Sequence, residues 1–195
     1  MMRARAVVLG VLGAACGPMP TLVPDAGSSP SFPSNVAVNG TFDGPDALAS
    51  FSTLDTVATI ALVDGRTGKA LRFTTSAGPY GNRFGSTWKV LAPQAGTYCL
   101  TAWMKSTSTA TVLRLYGAPP GQARGNMFTM PGPLTTWTKV PPNVKLDVAV
   151  QANDELFVEV TDFSSTPGTV IDLDDLDLWR SSDGSCTDQR SAVRP

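Results

Sequence analysis

The sequence predicts an all-β fold, an antiparallel β-sandwich. Between residues 35 and 180 the apolar side chains recur with a period of two, which is the period of a half-buried strand. The 18 glycines and 16 prolines among 195 residues favour turns and disfavour helix interiors. No stretch of 12 residues carries a helical apolar stripe. Many short strands separated by turn signals are typical of sandwiches and barrels.

Three segments show the alternation most clearly, namely residues 97–105 (TYCLTAWMK), 111–116 (TVLRLY) and 155–160 (ELFVEV). Successive side chains of a strand point to opposite faces, so the regularly spaced apolar residues are expected to face the core. The side chains predicted in the core are Tyr98, Leu100, Ala102, Met104, Leu113, Leu115, Leu156, Val158 and Val160. Shorter strands are predicted at residues 36–42, 58–63, 70–74 and 87–91.

The first 15 residues have the composition of a signal peptide. Arg3 and Arg5 precede an apolar run at residues 6–15, which is too short to cross a bilayer core of about 30 Å as a helix. Small residues then lead into Cys16, and this arrangement resembles a bacterial lipoprotein signal, in which that cysteine receives the lipid. The alternative is an ordinary secretory signal cleaved near Ala15. Either interpretation predicts an exported protein.

The rest of the chain divides into a tether, a domain and a tail. Residues 16–34 follow the signal as a lipidated cysteine and a Pro/Gly/Ser-rich tether with five prolines. Residues 35–180 form the predicted β-sandwich, and residues 181–195 form a polar C-terminal tail. Gly17 replaces the Asp that is often linked to inner-membrane retention, so we expect an outer-membrane lipoprotein of the cell envelope, or otherwise a secreted protein.

Three cysteines are an odd number for an exported protein. If Cys16 carries lipid, then Cys99 and Cys186 remain, and an oxidising compartment permits one disulfide between them. The alternative is that Cys99 is only a small apolar residue of its strand.

The composition excludes several classes of function. The chain has no histidine, which removes Ser-His-Asp and Cys-His catalysis and histidine-ligated zinc. The formal net charge is −1 and there is no basic block, which argues against a nucleic-acid partner. The only glutamates, Glu155 and Glu159, are predicted to share one face of one strand, whereas glycoside hydrolysis needs opposed carboxyl groups. We therefore expect a binding protein and not an enzyme.

Five segments in order resemble the jelly-roll carbohydrate-binding modules that accompany cellulases and xylanases. They are VNGTFD at 38–43, GKALRF at 68–73, GTYCLTAWMK at 96–105, TWTKV at 136–140 and IDLDDLDL at 171–178. The resemblance implies that the sandwich is of the jelly-roll, galactose-binding-like type and that it is a non-catalytic module binding an extracellular glycan. It departs from the family pattern at Asp43, where glutamate is usual. Because the superfamily also includes members that bind no sugar, the alternative is an envelope lipoprotein whose sandwich mediates protein contact or structure.

Acidic residues concentrate near the C-terminal end of the domain. From residue 147 to residue 179 there are nine acids and no Lys or Arg. The apolar phase slips by one residue at Asp174 and Asp175, which predicts a β-bulge. Two carboxylates at a bulge suit Ca²⁺, and the resemblance implies a structural calcium between the first and last strands, with Asp43 as a third ligand. The alternative is an acidic strand edge that opposes aggregation.

The predicted glycan platform rests on two strands that we expect to form a hairpin. Their outward side chains combine aromatic rings, which stack on sugar C–H faces, with cations, which donate to hydroxyls. Its predicted members are Trp103, Lys105, Arg114 and Tyr116, extended by Trp88 and Tyr80. The alternative for Trp103 is packing under a loop. The expected partners are a glycan and, through the lipid alone, a membrane, and the protein is expected to be a monomer.

Replacing Cys16 tests the anchoring. Cys16→Ala removes the only sulfur that could carry lipid at the end of the signal, so the protein should be released from the membrane or misprocessed. Membrane fractionation and the mass of the N-terminal peptide measure this. The same fractionation and the same peptide mass in the variant and the parent would contradict lipidation.

Overall fold

Twelve strands and one short 3-10 helix, Ala47–Ser50, make up the described part of the chain. The computed structural model describes residues 35–54, 58–76, 82–87, 89–118, 124–129, 132–140, 144–145, 150–164 and 166–186. The predicted signal peptide at 1–15, the tether at 16–34 with Cys16, residues 187–195 of the tail, Tyr80 and Trp88 lie outside the described residues. The strands are β1 Phe51–Thr53, β2 Thr59–Asp64, β3 Lys69–Thr74, β4 Asn82–Ser86, β5 Val90–Leu91, β6 Tyr98–Ser106, β7 Thr111–Ala118, β8 Arg124–Thr129, β9 Leu134–Lys139, β10 Val144–Lys145, β11 Glu155–Asp162 and β12 Val170–Arg180.

The strands form two antiparallel sheets. Sheet A has the order β1-β4-β11-β7-β8, with β5 also paired to β11. Sheet B has the order β10-β6-β12-β3-β2, with β9 also paired to β6. This arrangement confirms the predicted antiparallel β-sandwich. Within the described residues, no helix is long and apolar enough to cross a membrane.

The core lies between the two sheets and is built from alternate side chains, as the period of two predicts. The nine core residues predicted from the three alternating segments are all buried. Phenylalanines that the sequence analysis did not single out complete the core: Phe73 of β3 packs against Phe84 of β4 at a ring-centroid distance of 4.5 Å. Phe51 of β1 packs on Phe73 at 5.8 Å, so aromatic rings join the two sheets at this end.

The strand predicted at residues 36–42 is wrong. This segment is a turn in which Asn39 and Phe42 adopt positive φ angles of 52° and 56°. Asn39 tolerates this conformation because its short polar side chain can hydrogen-bond locally. The turn is attached to β12 by the bond from the Leu176 amide to the Gly40 carbonyl, 2.8 Å long. A Cβ on Gly40 would overlap the Leu176 carbonyl, so this approach requires glycine.

The strand predicted at 87–91 is also largely wrong, since among its described residues (87 and 89–91) only Val90–Leu91 is extended in a sheet. The neighbouring strand β4, with sequence NRFGS, was missed because a single apolar residue gives no alternation to detect. Phe84 is nevertheless fully buried there, and β4 lies between β1 and β11.

The predicted bulge in β12 is confirmed. The β6–β12 register runs regularly to the pair Asp174–Trp103 and resumes at Asp177–Thr101. Asp175 has a φ of 45°, which is uncommon for a residue other than glycine. Because of this shift, Leu173 before the bulge and Leu176 after it both reach the core. Without it, strict alternation would turn one of them outwards.

A disulfide joins Cys99 and Cys186 across 87 residues, with a Cα–Cα distance of 5.6 Å. Cys99 lies between Tyr98 and Leu100 of β6 and therefore points to the outer side of sheet B. The residues after β12 return to this strand, since the Ser181 amide donates to the Thr97 carbonyl at 2.8 Å. The disulfide thus attaches the start of the C-terminal tail to the sandwich.

Loss of this disulfide should lower the stability of the domain. In the chain-entropy account, closing a loop of this length stabilises by at most about 4–5 kcal/mol. Cys186→Ser should therefore lower the free energy of unfolding by up to that amount, measured by urea denaturation without reductant. The parent in reductant should match the variant, and the variant itself should not respond to reductant. Equal stability of parent and variant without reductant would contradict the prediction.

Candidate functional site

The predicted hairpin of the two platform strands is wrong, and the correction divides the platform. β6 belongs to sheet B and β7 to sheet A. Trp103 and Lys105 therefore lie on the outer face of sheet B, whereas Arg114 and Tyr116 lie on the outer face of sheet A.

The connection between β6 and β7 explains the division. The Thr107 amide donates to the Val170 carbonyl of β12 at 3.0 Å, and the Ala110 carbonyl accepts from the Phe163 amide after β11 at 3.1 Å. The link thus leaves one sheet and enters the other within a few residues. Buried hydrogen bonds hold the crossing, including Ser108 Oγ to Asp162 Oδ1 at 2.6 Å.

On sheet A, the two neighbouring strands β7 and β11 place an aromatic pair side by side. Tyr116 stands opposite Phe157 in the register, and their rings are stacked with centroids 4.7 Å apart and planes 3° apart. Both side chains are half-buried on the outer face. Phe157 was not among the predicted site residues. The alternation in 155–160 indicated its outward face, but its pairing with Tyr116 depends on the register between two distant strands.

Next to the aromatic pair, Arg114 stands opposite Glu159. Glu159 is only 3% exposed although it belongs to the outward-facing set. Arg114 Nη1 lies 3.5 Å from Glu159 Oε1 and donates to the Tyr116 hydroxyl at 3.0 Å. Thr161 Oγ1 donates to the same Glu159 oxygen at 2.8 Å. The buried carboxylate is thus compensated by a cation and a hydroxyl, as a desolvated charge requires.

Two further groups extend this surface along β11. Phe163 follows the strand with the same outward parity and is 48% exposed, and the Arg114 guanidinium lies 5.4 Å from its ring centre. At the other end, Lys89 Nζ lies 5.9 Å from the Phe157 ring and 3.1 Å from Glu155 Oε2. We call the set Arg114, Tyr116, Phe157, Glu159 and Phe163 the β7–β11 face. It has aromatic rings at both ends and an ion pair between them.

Three tryptophans lie on the outer face of sheet B. Trp179 is buried there, and a cation covers the ring of each of the other two, Trp103 and Trp137. The Arg66 guanidinium lies 4.6 Å from the ring centre of Trp103, and Lys105 Nζ lies 4.5 Å from that of Trp137. Both cations are held by acidic residues of β12: Lys105 Nζ is 3.4 Å from Asp172, and Arg66 is paired with Asp175. The aromatic rings of this face therefore belong to an internal network.

The buried carboxylate of Asp172 organises the middle of this network. Arg72 donates to its two oxygens at 2.7 and 2.9 Å, which is the bidentate geometry of a strong arginine–carboxylate pair. These hydrogen bonds raise the pKa of the Arg72 guanidinium above its ordinary value.

The three predicted calcium ligands lie around the turn between β2 and β3. The Lys69 amide donates to Asp43 Oδ1 at 2.8 Å, and the Arg66 amide donates to Asp174 Oδ2 at 2.7 Å. The Arg66 guanidinium donates to Asp175 Oδ2 at 2.6 Å. Burial raises the pKa of the Asp174 carboxyl, and the Arg66 amide and other backbone donors oppose this effect.

These donors do not fit a calcium ion. Calcium needs six to eight oxygen ligands converging on one point. Here each carboxylate already accepts a hydrogen bond from nitrogen, and a guanidinium stands on Asp175. Among the described residues, no three acidic or cysteine side chains form a cluster that could hold a metal ion.

Comparison with known proteins identifies solved structures of the same fold. Neither a protein-family profile nor a curated protein matches the chain. An arabinose-bound GH51 α-L-arabinofuranosidase is 18% identical, with a TM-score of 0.56 over 74% of this chain and 26% of that one. The CBM22-1 and GH10 modules of the Clostridium thermocellum xylanase 10B are 14% identical, with a TM-score of 0.52 over 75% of this chain and 29% of that one.

The chain thus spans between a quarter and a third of the length of these two enzymes. A family 61 carbohydrate-binding module, solved with β-1,4-galactotriose, is matched over 99% of its own length, with 18% identity and a TM-score of 0.48. A structure that contains a carbohydrate-binding module, the xylanase with its CBM22-1, is thus among the neighbours with TM-scores above 0.5, as the sequence motifs predicted. At these identities the similarity shows the jelly-roll fold alone.

Removing the cation of the β7–β11 face should destabilise the domain. Arg114→Gln leaves Glu159 buried without its charge partner, so the free energy of unfolding should fall by about 2–4 kcal/mol, measured by urea denaturation. Lys89→Gln is the matched control on the same sheet, because its pair with Glu155 is mostly exposed and is worth less than about 1 kcal/mol. Equal losses for the two variants would contradict the burial argument.

Proposed function

We propose that this protein is a non-catalytic polysaccharide-binding module whose ligand lies along the β7–β11 face. The observation that carries the proposal is the stacked pair of Tyr116 and Phe157 beside the ion pair of Arg114 and Glu159 on one outward sheet face. Sugars present flat C–H faces to aromatic rings and hydroxyls to charged groups. This surface offers both on rigid strands, so little conformational freedom is lost on binding.

The polar groups of the face can serve both hydrogen-bonding roles of a sugar hydroxyl. Arg114 supplies N–H donors and the Tyr116 hydroxyl can accept, while the buried Glu159 holds Arg114 in position, and hydrogen bonds to charged groups are stronger than those between neutral groups. Their mutual contacts and the bond from Thr161 hold them in place before a ligand arrives. The face can therefore orient a sugar through hydrogen bonds as well as stack against it.

The length of the face favours a chain over a single sugar. Phe157 and Phe163 are six residues apart along one extended segment, which corresponds to about 20 Å at the usual rise per residue. An aromatic ring at each end and a polar centre would accommodate several consecutive sugar residues. Both enzymes matched above act on or bind saccharides, and the xylanase modules were solved with xylohexaose, which supports a saccharide ligand.

Sheet B is the less suitable of the two outer faces. Stacking a sugar on the covered ring face of Trp103 or Trp137 would require Arg66 or Lys105 to leave both the ring and its carboxylate. On sheet A the cations lie farther from the rings, at 5.4 Å for Phe163 and 5.9 Å for Phe157, and Phe163 is nearly half exposed. The ligand is therefore assigned to Arg114 and Tyr116 among the predicted residues, joined by Phe157, Glu159 and Phe163.

The arrangement of carboxylates favours binding without hydrolysis. Glu155 and Glu159 lie on the same strand, four residues and about 13 Å apart, whereas the two carboxyl groups of most glycosidases are roughly 5–9.5 Å apart across the sugar. Each also has a cationic partner, Lys89 and Arg114 respectively. The same proposal includes export and attachment by a lipid on Cys16. The disulfide between Cys99 and Cys186 supports the export, because such bonds persist in oxidising compartments.

Binding to soluble polysaccharides tests the proposal. The purified protein is screened on a glycan array, and the affinity for the best ligand is measured by isothermal titration calorimetry. Tyr116→Ala and Phe157→Ala should each weaken binding by roughly 1–3 kcal/mol, a magnitude borrowed from aromatic stacking on nucleobases, which is about 5- to 150-fold in Kd. Tyr116→Phe keeps the ring and should retain most of the affinity.

Trp103→Ala is the matched control, since it removes an aromatic ring from the other sheet. It should leave the Kd within a factor of about two, because nothing on the β7–β11 face changes. Melting curves of all variants establish that they are folded. Absence of binding to any glycan, or a loss of binding in Trp103→Ala and not in Tyr116→Ala, would exclude this site and favour the protein-contact alternative or the other face.

A further inference from the structure

The turn between β2 and β3 gathers acidic residues from distant parts of the chain. Asp43 comes from the segment before β1, and Asp174 and Asp175 come from the bulge of β12. The family resemblance implies a structural calcium at this place, but the donors do not fit that ion. We infer that the side chain of Arg66 takes the role of the structural cation, so that the domain is stabilised here without calcium.

The guanidinium of Arg66 is held tightly at the bulge. Its Nη2 and Nε atoms donate to Asp175 Oδ2 at 2.6 and 3.2 Å. The Asp175 side chain is 8% exposed and that of Arg66 is 27% exposed, so the pair is partly desolvated. The Arg66 guanidinium therefore already neutralises the Asp175 carboxylate, which a metal ion would need as a ligand.

The backbone of the same turn engages the neighbouring carboxylate. The amides of Arg66 and Thr67 approach Asp174 Oδ2 at 2.7 and 3.4 Å, and the Asp175 amide donates to Asp174 Oδ1 at 2.7 Å. N–H groups direct positive charge at these oxygens and would repel a cation placed there. The oxygens of Asp174 are thus oriented towards the protein backbone.

Two glycines bring the turn this close. A Cβ on Gly65 would lie 2.6 Å from Asp174 Oδ2, and a Cβ on Gly68, which has a φ of 66°, would overlap the Asp43 carboxylate. Because the turn contacts the carboxylates of Asp43 and Asp174 directly and the guanidinium occupies the position against Asp175, the parent has no space among them for an ion with its own ligands. The arginine and the glycines are therefore parts of one arrangement.

Arg66 also connects more than two strands. Its guanidinium lies over the ring of Trp103 in β6, and Trp103 is the register partner of Asp174 in β12. One side chain from the β2–β3 turn thereby joins the bulged strand and its neighbour. A metal ion bridging the same carboxylates would supply a comparable cross-link, and here a side chain of the protein supplies it through an ion pair.

Thermal unfolding in calcium and in EDTA tests this inference. The parent should melt at the same temperature in both. Arg66→Ala leaves the carboxylates without their cation and should lower the Tm in EDTA by roughly 4–8 °C, given the cost of breaking such a pair and the size of the domain. Calcium should raise the Tm of this variant, since the truncation vacates the position of the guanidinium and leaves the Asp175 carboxylate open to an external cation. The tryptophan fluorescence of Arg66→Ala should also change, because the guanidinium leaves Trp103.

Two controls separate this role from a general loss of charge. Arg72→Ala removes an arginine from a carboxylate on the same sheet face and should lower the Tm without any response to calcium. In the double variant Arg66→Ala, Asp175→Asn, the unpaired charge is absent, so the calcium response should disappear and part of the Tm should return. Together with the single variant Asp175→Asn, these proteins form a double-mutant cycle. The departure of the Tm changes from additivity reports the interaction between Arg66 and Asp175.

Three results would overturn the inference. One is a parent that melts higher in calcium than in EDTA, and another is an Arg66→Ala variant as stable as the parent. The third is an Arg66→Ala variant that responds to calcium no more than Arg72→Ala. If Arg66→Ala does not fold in either buffer, calcium titration of the parent by calorimetry decides: stoichiometric binding contradicts the inference, and absence of binding supports it.

Discussion

The register shift in β12 is the constraint on which the rest of the structure depends. Leu173 and Leu176 are three positions apart in this 11-residue strand, so strict alternation would place them on opposite faces and turn one of them away from the core. The bulge at Asp175 absorbs the slip and leaves carboxylates at the break. Those carboxylates are contacted by Arg66 and by the glycines of its turn, and the Arg66 guanidinium also lies over Trp103. A packing requirement of the core thus leads to the polar arrangement on the outer side of sheet B.

The crossing between β6 and β7 gives the two outer faces different characters. Had these strands formed a hairpin, Trp103, Lys105, Arg114 and Tyr116 would share one surface. On sheet B, cations that are held by acidic residues cover Trp103 and Trp137 at 4.6 and 4.5 Å. On sheet A the cations lie farther from the rings of Phe163 and Phe157, at 5.4 and 5.9 Å, and Phe163 is nearly half exposed. This difference is the physical basis for assigning a ligand to sheet A.

Both outer faces share one device, a buried carboxylate beneath a more exposed cation. Three ion pairs have this arrangement: Glu159 with Arg114, Asp172 with Arg72 and, at the bulge, Asp175 with Arg66. A desolvated charge is costly unless it is paired, so each pair holds its long cationic side chain in one position. On sheet A this positions a hydrogen-bonding group beside aromatic rings. On sheet B it fixes strands to each other.

The amino-acid sequence determined the fold class, the core face of β6, β7 and β11, the bulge and the outward direction of the platform residues, because alternation along a strand is a local property. The motifs also indicated the jelly-roll relatives. Tertiary structure alone decided which sheet each strand joins, and so separated Trp103 from Tyr116. It also decided that Phe157 meets Tyr116 and that Arg66 meets Asp175. Strand pairing and contacts between residues more than 40 positions apart depend on the closure of the whole chain, and no local pattern encodes them.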